Sequence, residues 1–175
     1  MLRRQFIRHT LCAGILLALA CPVTTFAAGP SLVLLEPELE GDLTDAARVG
    51  DWQRRLALVA ERLEKGLREG DLYRVLDTTP AHDLILSYHG RAEVHACEPC
   101  VVTLAKRLDA DRVLSVWVYR MSNLVLSLNA ILRDGESGNV PYARTLSFRR
   151  DIDRAWTRAV DYLMCDMAAI PSNRR

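Results

Sequence analysis

The hydrophobic positions change period several times along the chain, and each change marks an element. SLVLLE at 31–36 is a short apolar run between Pro30 and Pro37, which suits a buried strand. The acidic stretch from Glu38 to Asp45, with Gly41 inside it, predicts a loop. From Asp51 the apolar residues Trp52, Leu56, Val59, Leu63 and Leu67 recur at spacings of three and four. Arginines, glutamates and Lys65 fill the other faces, so the segment reads as an amphipathic helix ending near Gly70. LYRVL at 72–76 predicts a second strand. The pattern is weakest over 78–96, where Pro80 opens a short helix through Leu84 and Leu86 that Gly90 interrupts. Glu98 and Pro99 then suit the first turn of a helix, whose amides have no intrahelical acceptors. Val101, Leu104, Ala105 and Leu108 carry that helix to about Asp109.

RVLSVWVYRM at 112–121 is nearly continuous apolar sequence with β-branched and aromatic residues, the mark of a central strand covered on both faces. LVLSLNAILRD at 124–134 alternates with a period of two. The turn residues 134–139 lead to a return strand over 140–148, giving an antiparallel hairpin. Asp151 is placed to cap a final helix with Ile152, Trp156, Ala159, Val160, Leu163 and Met167 as its buried stripe. The order predicts an α/β fold: a mixed sheet of about five strands, with a parallel crossover part and an antiparallel hairpin, flanked by about three helices.

The N-terminus reads differently. MLRRQFIRHT is basic, and an apolar stretch from Leu11 to about Phe26 follows, broken by Pro22. That is the organisation of a secretory signal, and it is too short to span a hydrocarbon core of about 30 Å. Thr25-Phe26-Ala27 suits signal-peptidase cleavage, which assigns 1–27 to a signal peptide and 29–175 to a single α/β domain. LALAC at 17–21 is a competing, loose lipobox that would lipidate Cys21. The expected location is the periplasm or beyond, with a lipid-anchored form as the alternative and no membrane span in the mature chain.

Among 175 residues, 50% are hydrophobic and 26% charged, a globular balance. Aromatic residues make up only 6%, which argues against a stacking platform for nucleic acid. The net charge of +1 includes Arg3, Arg4 and Arg8; without them the balance turns slightly negative. No basic field is left to attract nucleic acid.

Cys97 and Cys100 form a Cys-x-Pro-Cys at a helix start, where the helix dipole favours thiolate. A structural disulfide, redox chemistry and metal binding all fit that spacing, and an oxidising compartment favours the disulfide. His89, His95, Cys97 and Cys100 lie within twelve residues and make a candidate zinc or copper set, which oxidation of the cysteines would dismantle. No nucleophile elbow, zinc-protease helix or phosphate-cradling loop is present in the sequence, so no catalytic residue and no cofactor is assigned. Asp151 and Asp153 are flanked by Arg149, Arg150 and Arg154 and read as a charged helix start rather than paired catalytic carboxylates. Trp117 and Trp156 read as core. Ser122, Asn123, Arg149 and Arg150 are candidate interaction residues.

LAKRLDADRVLSVWV at 104–118 is similar to the helix, Gly-Ala-Asp and apolar-strand segment of exported α/β domains, such as the N-terminal domain of TolB and the CsgG secretion-channel family. Their following hairpin carries an Asp-x-x-x-Gly turn, which Asp134 to Gly138 matches. WVYRMSNLVLSLNAILRDGESG at 117–138, followed by RRDIDRAWTRAVDYL at 149–163, resembles an uncharacterised family of secreted bacterial proteins, a domain of unknown function. This chain has Asp109 where the wider group has glycine, and Arg150 where the narrower family has glycine or asparagine. The resemblance implies the fold and export, and no catalytic residues. The expected function is a non-catalytic accessory protein that binds another cell-envelope protein. The alternatives are a thiol-redox or metal-binding protein using Cys97 and Cys100, and a small-ligand-binding protein.

Overall fold

A computed structural model describes residues 29–88 and 94–170. The candidate signal peptide, Cys21 and His89 lie outside the described residues. Six strands form one mixed sheet: β1 (Ser31–Leu34), β2 (Glu38–Gly41), β3 (Arg74–Val75), β4 (Arg112–Arg120), β5 (Val125–Asp134) and β6 (Tyr142–Arg149). The helices are α1 (Val49–Glu69), α2 (His82–Tyr88), α3 (Glu98–Leu108) and α4 (Asp153–Ala168). The strand order is β3-β1-β4-β5-β6, with β2 also paired to β4. β1, β2, β3 and β4 run parallel where they pair, and β4-β5-β6 is an antiparallel meander.

The mixed sheet follows the sequence expectation, and two details differ. The predicted loop at Glu38 contains β2, and the predicted strand at 72–76 shortens to Arg74–Val75. β2 forms because β4 is long. β1 occupies only its first half, pairing Leu34 with Leu114, and the second half offers free backbone groups that Glu38–Gly41 takes up, with Glu38 opposite Trp117. Leu34 and Glu38 are four residues apart, while their partners Leu114 and Trp117 are three apart, so β1 and β2 line one side of β4 as a single interrupted strand with a bulge at Glu36-Pro37. The extra residue reverses the side-chain parity. Leu32 and Leu34 join the core under α1, whereas after the bulge it is Leu39 that does so. Glu38 and Glu40 therefore face the other side of the sheet, with their partners Trp117 and Tyr119.

The larger core lies on the α1–α4 side. Val59, Leu63 and Leu67 of α1 and Trp156, Val160 and Leu163 of α4 cover Leu114, Val116, Val118, Leu126, Leu128 and Leu132. A smaller core joins Val33, Leu35 and Val113 to Val101, Leu104 and Ala105 of α3 on the opposite face. At the α4 start the expected cap is not made: Ile152 is the N-cap residue and has no side-chain cap bond. Asp151 is buried instead, accepting from the indole nitrogens of Trp52 and Trp156 and from Arg55, each at 2.9 Å. Among the described residues, no helix is long and apolar enough to cross a membrane.

Candidate functional site

The structure disperses the residues singled out from the sequence. Cys97 and Cys100 are joined in a disulfide at the start of α3, with Cα atoms 5.3 Å apart. Both thiolates of the candidate metal set are thereby consumed. A loop this short contributes about 2 kcal/mol on the chain-entropy account. Ser122 and Asn123 shape the β4–β5 turn: the Ser122 hydroxyl accepts from the amides of Leu124 and Val125, and the Asn123 amide oxygen accepts from Arg120. Arg150 is exposed, has a left-handed backbone (φ 72°), and donates its amide to the Leu124 carbonyl.

His95 joins partners that the sequence did not suggest. Its Nδ1 lies 2.8 Å from Glu38 Oε2 and 3.3 Å from Glu40 Oε1. Its ring stacks on Trp117, with centroids 3.9 Å apart and planes inclined by 14°. Trp117 is therefore not a core residue like Trp156; it is half-buried on the α3 side of the sheet and serves as a platform for the imidazole. The amide of Val94 donates to the other oxygen of Glu38 at 3.3 Å, tying the turn before α3 to β2. Two glutamates at alternate positions of one strand were the signal for this cluster. The loop reading of 38–45 concealed it, because only a strand places both on one face.

A second feature lies at the far side of the sheet. β6 is an edge strand, paired with β5 and, among the described residues, with no other strand. Between β6 and α4 runs a groove of about 480 Å³. Leu146, Phe148, Ala155 and Ala159 line it, together with Arg149, Arg158 and Tyr162. On α4 the lining positions 155, 158, 159 and 162 form one helical face, and its two alanines leave the groove room. The nearby carboxylates are engaged elsewhere: Asp153 with Arg54 and Arg55, Asp161 with Arg62, and Asp166 with Arg144. Tyr142 also donates to Asp166 at 2.8 Å, and burial together with that carboxylate pushes its hydroxyl pKa well above the usual tyrosine value. Arg149 and Arg158 have no ion-pair partner among the described residues, so the groove is basic.

No curated protein matches the chain in sequence. Among solved structures, the lipoprotein GNA1162 from Neisseria meningitidis is similar over 81% of this chain and 99% of its own, with 19% identity and a TM-score of 0.50. The hypothetical protein CT253 from Chlamydia trachomatis aligns over 81% and 99% of the two chains, with 11% identity and a TM-score of 0.48. The LpoB C-terminal domain from Escherichia coli aligns over 69% and 82%, with 14% identity and a TM-score of 0.45. At these identities the likeness concerns the fold. The sequence itself carries the family relationship: the model described as "Protein of unknown function (DUF2380)" matches residues 30–167, and the chain belongs to that family.

Proposed function

We propose that this protein is an exported, non-catalytic accessory of the bacterial cell envelope that takes up an extended acidic segment of another envelope protein along β6. The observation that carries this reading is the edge of β6, unpaired among the described residues, beside a groove with an apolar floor and two arginines that have no ion-pair partner among those residues. A free strand edge offers a row of backbone donors and acceptors, and strand addition satisfies them while the groove receives alternate side chains of the incoming segment. Arginines along such an edge repel a second copy of the same edge, and they attract a partner carrying aspartate or glutamate. Export rests on the basic, then apolar, leader ending at Ala27, with lipidation at Cys21 as the alternative route to the same compartment. GNA1162, whose structure is similar, is a lipoprotein, which accords with an envelope location.

The test is site-specific photocross-linking in intact cells. A photoreactive residue at Ser147 is expected to give a covalent adduct with one envelope protein, whereas one at Glu64, on the exposed side of α1, gives none. The double reversal R149E/R158E should abolish the Ser147 adduct. An adduct that persists in the double variant, or no adduct from Ser147 at all, overturns the reading.

A further inference from the structure

We propose that Glu38, Glu40 and His95 form a binding site for one divalent transition-metal ion of the zinc class, between β2 and the turn that precedes α3. This site is independent of the β6 groove and differs from the cysteine-containing set suggested by the sequence. One ligand atom from each residue lies within 4.8 Å of the other two. The two imidazole-to-carboxylate distances are 2.8 and 3.3 Å. In a tetrahedral zinc site, bonds of about 2.0–2.2 Å place neighbouring ligand atoms about 3.3–3.6 Å apart. The two imidazole-to-carboxylate distances need change by only about half an ångström to hold an ion, and the two carboxylates, at most 4.8 Å apart, would close by up to about 1.5 Å.

The chemistry of the set points the same way. Two carboxylates and a neutral imidazole balance a double positive charge, and the mixed nitrogen and oxygen donors suit zinc or manganese rather than a thiolate-seeking ion. The bulge before β2 brings both glutamates to one face, beside the imidazole. The surroundings already orient the ligands: Trp117 holds the imidazole plane, and the Val94 amide fixes the Glu38 carboxylate. His95 is buried, while the Glu38 side chain is 29% exposed, which leaves a path from solvent. Three protein ligands leave the fourth position for water or for a donor from a bound molecule.

The experiment uses the full chain with its disulfide intact and Cys12, Cys21 and Cys165 replaced by serine, so that no free thiol competes. Zinc chloride is titrated calorimetrically. Cobalt chloride is followed both by visible absorption and by quenching of tryptophan emission. One equivalent of metal is expected to bind, and the quenching should vanish in W117F. Glu38→Gln and Glu40→Gln preserve side-chain shape and fold, as circular dichroism checks, and each should weaken binding by about tenfold or more. Absence of saturable binding, or an affinity unchanged in both glutamine variants, overturns the proposal.

Discussion

The indole nitrogen of Trp156 donates a 2.9 Å hydrogen bond to Oδ1 of Asp151, five positions before it in the chain. Around the same carboxylate gather the indole of Trp52 and the guanidinium of Arg55 at 2.9 Å, Arg48 at 3.3 Å and Arg120 at 3.5 Å. Arg120 also lies over the Trp52 ring, 4.8 Å from its centroid. The side chains of Asp151 and Arg120 are each only 2% exposed. A charge buried to that degree must be compensated locally, and removing one partner strands the others. Asp151→Asn keeps the volume and discards the charge. It should cost about 3–5 kcal/mol in urea denaturation at neutral pH. A loss below about 1 kcal/mol would mean that the arginines find water or another acid, and that the cluster does not tie α1, α4 and the β4–β5 turn together.

Local sequence could not reveal this cluster. Asp151 precedes a helix and satisfies the local criteria for a cap, but Arg55 lies 96 residues away on another helix. Elements whose stability comes from a repeating apolar face, α1 and α4 above all, are legible because the periodicity itself encodes the packing. β2 is the opposite case. Its four residues, with two glutamates and a glycine, carry no signature, and the unoccupied half of β4 determines the pairing. The candidate metal cluster inherits that obscurity, because it depends on a bulge that reverses parity and on a turn that returns His95 to β2. The β6 groove was not legible as a groove: Arg149 lines it, but the second face of α4 was hidden behind its stronger buried stripe.

Asp153 predicts how the fold responds to acid. Hydrogen bonds from Arg54 and then Arg55, with the charges of both, lower its carboxyl from 3.8 to about 2. Hydrogen bonds from Ser31 likewise lower Asp111, and those from Ser137 lead the lowering of Asp134. A carboxylate depressed in the folded state contributes stability above its ordinary pKa and loses it as pH falls through the folded value. The melting temperature should therefore decline most steeply between about pH 4 and pH 2. Because the Asp153 side chain is 46% exposed, solvent screening limits its share to less than about 1 kcal/mol. Asp153→Asn should lower stability by that amount at neutral pH and converge with the parent chain near the acid limit. Parallel curves for the two proteins across the whole range would remove Asp153 from the account.

Two backbone positions make opposite predictions from the same steric rule. Gly41 ends β2 with φ 95°, and a Cβ built there would meet the Arg120 carbonyl oxygen at 2.1 Å. Ala at this position must push β2 away from β4, disturbing both Glu40 and the Asp42 carbonyl that accepts from Arg120. Arg150 is also left-handed, with φ 72°, but its side chain is exposed, and glycine or asparagine is the residue its resemblance to secreted proteins implied. An L-residue other than Asn or Asp in this conformation carries about 1–2 kcal/mol of strain. Arg150→Gly removes that strain and returns part of it as unfolded-state entropy, for a net gain of up to about 1 kcal/mol. Gly41→Ala should lose more than Arg150→Gly gains, because a backbone atom, not a flexible side chain, blocks the new methyl. Equilibrium denaturation of the two single variants measures both signs. A Gly41→Ala variant as stable as the parent would show that the close approach of β2 to Arg120 does not fix the end of that strand, and a loss in Arg150→Gly would show that Arg150 carries no strain to relieve.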